Sequence, residues 1–238
     1  MPLKPHLFRF KQFSVDHSRS SVKIGTDAIL LGAWASVNDA YTVLDIGTGC
    51  GVIALMLAQR TAENVRIHAV EIDRHDADIA LENVASSPWK DKVEIFNSSI
   101  QNFNPPLIYD CIVSNPPFFS DSFKPFNHQR QQARHTESLP FTELIDSVTG
   151  LLSEEGRFSL ILPYREGQNF INQASMKGLY VSRQFIFKSR KSKPAERLLL
   201  EFRKQIQTPE VGELIMFEGE NDWSEDYKKL TKEFFLHL

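Results

Sequence analysis

Residues 42–60 limit the possible folds of this chain more than any other stretch. An extended, mostly apolar run, Thr42-Val43-Leu44-Asp45-Ile46, passes into Gly47-Thr48-Gly49-Cys50-Gly51, and a helix-forming apolar run begins at Val52. Three glycines in one turn allow backbone conformations closed to other residues and let a ligand approach the main chain. Strand, glycine turn and helix in this order open a doubly wound α/β fold, in which ligands bind beyond the C-terminal ends of the strands.

The rest of the chain keeps the same rhythm. Residues 65–70 read as a strand ending at Glu71, and 76–85 as a helix with Ala77, Ala80, Leu81 and Val84 at helical spacing. Residues 93–96 and 109–114 read as strands, 142–152 as a helix presenting Leu144, Ile145, Val148 and Leu151, 156–162 as a strand ended by Pro163, and 168–176 as a helix. Strands over 181–187 and 197–202 have no helix between them, which predicts an antiparallel hairpin at the sheet edge. Upstream, 7–10 and 21–24 read as short strands or extended arms. Thr26 reads as the N-cap of a helix over 28–35, with Asp27 in its first turn. The alternation predicts a mostly parallel sheet covered by helices on both faces. The length suits one domain over 1–238, with 1–38 packed on it as an N-terminal extension and 205–238 as a C-terminal strand and helix extension.

Composition narrows the function. With 42% hydrophobic and 24% charged residues the chain has an ordinary globular make-up. No apolar run reaches the roughly 18 to 20 residues that cross a bilayer, and Met1-Pro2-Leu3-Lys4-Pro5 has no signal-peptide core. Two cysteines, Cys50 and Cys111, make no disulfide framework, so a reducing cytoplasm is the expected location. The net charge of −3 gives no bulk affinity for nucleic acid. Positive charge is nevertheless concentrated in 188–193 and at Arg130, Arg134 and His135, while acids collect in 210–233, so a local basic face is expected. Seven histidines without HExxH spacing give no reason to expect a metal, and His128 and His135 read as surface or RNA-contact residues.

A second motif, Asn115-Pro116-Pro117-Phe118, follows the apolar run Asp110-Cys111-Ile112-Val113-Ser114. Two prolines remove two backbone donors and fix two φ angles, so the strand stops there. An amide, rigid carbonyls and an aromatic ring remain, a set able to grip a planar group bearing an NH₂. The aperiodic stretch 115–139, roughly 25 residues, is longer than a compact domain needs for a connection and so reads as functional or mobile. Glu71, at the next strand end after the glycine turn, can accept hydrogen bonds from ribose hydroxyls, and Asp45 can brace the turn or bind an amine. A glycine turn alone is shared with dinucleotide-binding folds, but their fingerprint wants a small residue where Val52 stands.

The pattern Asp45-x-Gly47-x-Gly49-x-Gly51 resembles motif I of class I S-adenosylmethionine-dependent methyltransferases, a Rossmann-like fold with a seven-stranded sheet. That resemblance implies Gly47 and Gly49 at the cofactor's methionine part and Glu71 at its ribose. Where that family often has an Asp holding the adenine amine, this chain has Asn97-Ser98-Ser99, and either a serine, with Ser99 the candidate, or a backbone group is expected to take the contact. Asn115-Pro116-Pro117-Phe118 resembles the motif of amino-group methyltransferases acting on adenine N6, guanine N2 or glutamine N5. In such a site Asn115 and the Pro116 carbonyl bind the two amine hydrogens, and Phe118 stacks on the ring.

Residues 22–35, Phe10-Lys11-Gln12-Phe13 and Lys193-Pro194-Ala195-Glu196-Arg197 make nearly the whole chain similar to bacterial tRNA(Val) adenine-N6 methyltransferases. The resemblance implies methylation of the adenosine 3′ of the anticodon, with tRNA as partner. It places Thr26 and Asp27, with Asp45 and Asn115, near the cofactor. It also puts RNA contacts on Arg130, Arg134, Lys188, Arg190, Lys191 and Lys193, and a monomer is expected. Guanine-N2 methylation of ribosomal RNA and glutamine-N5 methylation of protein are the alternatives. The second usually carries a helical N-terminal domain for which this chain has no room.

Overall fold

The computed structural model describes residues 7–117, 139–220 and 222–236. Its strands are β1 (Leu7–Arg9), β2 (Ser14–Asp16), β3 (Thr42–Ile46), β4 (Arg66–Glu71), β5 (Val93–Asn97), β6 (Tyr109–Ser114), β7 (Leu152–Pro163), β8 (Tyr180–Arg190), β9 (Arg197–Arg203) and β10 (Glu210–Phe217). Its helices are α1 (Thr26–Trp34), α2 (Val52–Arg60), α3 (Arg74–Ala85), α4 (Phe141–Leu151), α5 (Tyr164–Met176) and α6 (Glu225–Thr231). A 3₁₀ turn covers Ile100–Asn102.

One sheet of eight strands, in the order β10-β8-β9-β7-β6-β3-β4-β5, organises the molecule. β3, β4, β5, β6 and β7 run parallel, and β9 is antiparallel to both β7 and β8. The expected antiparallel pair therefore forms, but the strand count of seven is corrected to eight. β10 adds to β8 in parallel, from Glu210 opposite Arg183 to Phe217 opposite Arg190, so the hairpin does not end the sheet. β9 finishes at the end of β8 where β10 starts, and a short link across β8 suffices.

The central strands read as nearly continuous apolar runs because both faces are covered. Alternation sends Val43, Ile67, Ala69, Cys111, Val113, Ile161 and Leu199 into one core, with α1 and α2. Leu44, Ile46, Val70, Ile112, Leu160, Leu162, Leu198 and Leu200 enter the other, with α4 and α5. α2 is buried from Val52 to Ala58, since the sheet takes one side and α1 the other. Gly32 permits that contact, because a Cβ there would stand 2.6 Å from the Met56 sulfur.

Four local expectations are revised. The second N-terminal strand is Ser14–Asp16 and not 21–24. The loop before α1 is instead tied to itself by Lys23, whose Nζ donates to the carbonyls of His17 (2.8 Å), Ser18 (2.7 Å) and Ser20 (3.2 Å). Gly25, not Thr26, is the N-cap of α1, with no side-chain cap bond. Leu81 on α3 is 55% exposed and lies off the buried stripe. α5 begins at Tyr164, directly after Pro163, whereas the sequence points to 168. Gly167 weakens the helix signal in that first turn, yet it lets the helix approach β9 closely, since an added Cβ would lie 2.9 Å from a Leu198 methyl carbon.

Candidate active site

The C-terminal ends of β3, β4, β5, β6 and β7 form one rim, and the site is built along it. The turn after β3 is held from below. Gly47 and Thr48 donate their N–H groups to the Val70 carbonyl (2.9 and 3.1 Å), and Gly51 N–H donates to the Thr48 carbonyl (2.9 Å). Gly47, Gly49 and Gly51 have φ of 71°, 56° and 83°, the left-handed region that explains the glycines. In front of Gly47 and Gly49 an added Cβ would meet nothing within 4 Å, so the turn faces open space.

Two carboxylates brace this turn. Asp45 is fully buried, and its Oδ2 accepts from Thr48 Oγ1 (2.6 Å) and Ala54 N (3.1 Å). Its Oδ1 is buried with no hydrogen-bond partner among the described residues. Burial pushes the carboxyl up to about 7, and the hydrogen bonds from Thr48 and Ala54 only partly offset the lost hydration. Glu71 is buried at the end of β4, where Oε2 accepts from Gly49 N (2.9 Å) and Oε1 from Asp73 N (3.0 Å). Burial also raises its pKa. Each Glu71 oxygen keeps acceptor capacity beyond its one backbone bond.

Asn97 and Ser99 stand at the end of β5. The Asn97 amide donates to the carbonyls of Glu71 (3.0 Å) and Ile72 (3.1 Å), which fixes the chain on either side of the acid. Ile72 itself is 62% exposed at the rim. Ser99 is half-buried and leads into the 3₁₀ turn.

The end of β6 lies beside the glycine turn. β3 and β6 pair in parallel with Ile46 opposite Ser114, so Gly47 and Asn115 leave neighbouring strands at the same level, about 5 Å apart. Ser114, 1% exposed, donates its hydroxyl to the Ile46 carbonyl (3.0 Å). The residue before the elbow is thus bonded to the residue before the turn, a tie that sequence patterns do not reveal. The only hint is a hydroxyl closing the apolar run 111–113. Asn115 is half-buried, Pro116 buried and Pro117 exposed. Phe118, Arg130 and Arg134 lie outside the described residues, as do His128 and His135.

The other expected site residues lie further along the rim. Asp27 Oδ2 accepts from Arg197 Nε (2.9 Å), which joins the start of α1 to the start of β9. Thr26 is exposed beside it. In the basic run, Lys188 pairs with Glu213, and the Arg190 guanidinium bonds the carbonyls of Gly219 and Glu220 and lies 5.3 Å from the Phe217 ring centre. Lys191 and Lys193 are exposed in the β8–β9 turn. Among the described residues no group of three His, Cys, Asp or Glu could hold a metal, and no helix is long and apolar enough to cross a membrane.

A doubly wound sheet whose first turn is a carboxylate-braced glycine loop, beside an Asn-Pro-Pro elbow, is the architecture of a class I methyltransferase. A predicted O-methyltransferase from Agrobacterium tumefaciens superposes with a TM-score of 0.67 over 87% of this chain and 96% of its own, at 17% identity. A ribosomal protein L11 methylase from Lactobacillus delbrueckii gives 0.56 over 79% and 82%, at 16% identity. Residues 9–171 match the methyltransferase small domain family, and the chain belongs to it. It is 42% identical to the tRNA1(Val) (adenine(37)-N6)-methyltransferase of Bacteroides thetaiotaomicron and 43% identical to that of Phocaeicola vulgatus. Each match covers 97% of this chain and 98% of the relative. The protein of the same name from Photorhabdus laumondii is 39% identical over 97% of this chain and 95% of its own.

Proposed function

We propose that this protein transfers a methyl group from S-adenosylmethionine to the exocyclic N6 amine of adenosine 37 in tRNA1(Val). The observation that carries the reading is the register of β3 against β6. It sets the amine-gripping elbow at Asn115 one strand spacing from the glycine turn, within the reach a direct transfer needs. The names of relatives matched along nearly the full chain supply the nucleotide.

The residues fit the cofactor. Open space before Gly47 and Gly49 admits its methionine part, and the buried Asp45 Oδ1, with no partner among the described residues, is an acceptor kept beneath the turn. Glu71 has lone pairs left for ribose hydroxyls, exposed Ile72 offers an apolar face to the adenine ring, and Ser99 stands at the next strand end. When bound, S-adenosylmethionine supplies an electrophilic methyl group. The chain's own task is to prepare the nitrogen. An aromatic amine is a weak nucleophile because its lone pair is delocalised into the ring. Asn115 Oδ1 and the Pro116 carbonyl accept its two hydrogens and draw the nitrogen towards tetrahedral geometry, and Phe118 stacks on the ring. The methylated nitrogen sheds a proton readily, so no strong base is required. An adenosine in an anticodon loop is single-stranded and accessible without opening a duplex.

Labelled methyl transfer to unmodified tRNA and, separately, to ribosomal RNA, followed by digestion to nucleosides, tests the reading. N6-methyladenosine from tRNA alone is expected. N2-methylguanosine from ribosomal RNA, or label in protein, would replace it with one of the alternatives.

A further inference from the structure

The basic run separates into two kinds of residue. Lys188 and Arg190 are engaged with the β10 side of the sheet, through Glu213 and the 219–220 carbonyls. Lys191 and Lys193 project from the turn with no ion pair among the described residues, and both are exposed. The turn itself is fixed. Glu196 Oε1 accepts from Ser189 N (2.8 Å), Lys193 N–H donates to the Arg190 carbonyl (3.0 Å), and Glu196 N–H donates to the Phe187 carbonyl (3.0 Å).

This turn is also tied towards the catalytic strands. The Glu196 carbonyl accepts from Tyr164 N (3.2 Å) and from Arg197 Nη1 (3.0 Å), and Arg197 reaches Asp27. Pro163, at the end of β7, pairs with Arg197. The first turn of α5 therefore sits against the basic turn, and its Arg165 is exposed with no partner among the described residues. Nothing in the sequence marks Arg165.

Nearby acids set the polarity of this surface. Asp27 is taken by Arg197 and Glu196 by Ser189, which leaves Glu166 on α5. Glu218, Glu220 and Asp222 follow β10 on the far side of the turn. From Asn115 the β8–β9 turn is two to three strand spacings away across the sheet and about six residues further along the strand direction, roughly 20–25 Å in all, the span of a few nucleotides beyond a base held at the elbow.

We infer that Arg165, Lys191 and Lys193 form one grip for the sugar–phosphate backbone of the RNA, held at a fixed offset from Asn115 by the Glu196–Arg197–Asp27 bonds. This rests on the proposed tRNA substrate. Recognition is by charge, so its signature is salt dependence. Every phosphate that is no longer neutralised lowers the slope of log affinity against log salt by about 0.7 to 0.9.

The test compares the full-length protein, the triple variant Arg165→Gln, Lys191→Gln, Lys193→Gln, and a charge control. The control, Arg66→Gln with Lys90→Gln, changes exposed cations at the opposite edge of the sheet. Binding of unmodified valine tRNA transcript is measured across a salt series, and S-adenosylmethionine affinity by calorimetry. The triple variant should lose about 2 from the slope and about tenfold or more in RNA affinity at 0.1 M salt. Its cofactor affinity should stay within about twofold of wild type, and the control should keep the wild-type slope. Wild-type binding with an unchanged slope in the triple variant, or an equal loss in the control, overturns the grip and leaves the proposed function intact. Wild-type protein that binds no tRNA overturns both.

Discussion

Asp45 is fully buried in the site, and taking its carboxyl out of water carries an electrostatic cost. Its carboxyl ordinarily titrates near 3.8, but in the folded chain burial raises it to about 7. Between these values the native state keeps a proton that the unfolded chain has released, so stability falls as pH rises from about 4 to 7. Glu71 is raised by burial as well and acts in the same direction. His68 opposes them. Its pKa is lowered by burial, so it favours the folded state increasingly as pH rises through the imidazole range. Asp45→Asn isolates the first contribution. Denaturant unfolding of the ligand-free protein at pH 5, 6 and 7 should show wild type losing stability relative to the variant by about 1 kcal/mol or more. A parallel pH dependence in the two proteins would mean that Asp45 ionises normally in the fold.

Where elements meet, the decisive contact is between β3 and β6. Their ladder sets the elbow level with the glycine turn, and the Ser114 hydroxyl adds a side-chain bond to the Ile46 carbonyl at the last residue before both diverge. Ser114→Ala removes a buried hydrogen bond with a net worth of about 1 kcal/mol. If the bond also sets the position of Asn115, kcat should fall about tenfold with cofactor affinity nearly unchanged, since small displacements of a reacting group are costly. A stability loss with wild-type kcat would make the bond structural only. The central elements are legible in sequence because their apolar runs are continuous and end on glycine or proline. β3, α2 and β6 fall on the expected residues. What cannot be read there is relational. β10 is marked by its partner β8, not by its own pattern, and α5 starts early because Pro163 fixes its entry despite Gly167. The same holds within the site. Asn115, Gly47, Gly49 and Glu71 announce themselves by type and spacing, whereas Ser114 and Arg165 gain meaning only from neighbours distant in sequence.

Across the whole molecule, the segments around Phe10 and Phe234 brace the helices beneath the glycine turn. Phe10 stacks on Phe13 at 4.3 Å and meets Phe234 edge-on, while Lys11 N–H donates to the Phe234 carbonyl (2.8 Å). Asn83 on α3 accepts from Asp16 N (2.9 Å) and donates to the carbonyls of Asp16 (3.0 Å) and Cys50 (2.9 Å), so the β1–β2 hairpin is linked to the glycine turn itself. The elbow, the turn and the basic rim thus belong to one packed unit, and the proposed chemistry depends on their fixed separation. A crystal structure with S-adenosylmethionine bound measures it directly. The sulfonium methyl carbon should stand about 4 to 6 Å from Asn115 Oδ1, room for one amine nitrogen at attack distance. A separation beyond about 10 Å would contradict direct transfer, because no nitrogen held by Asn115 could then reach the methyl group.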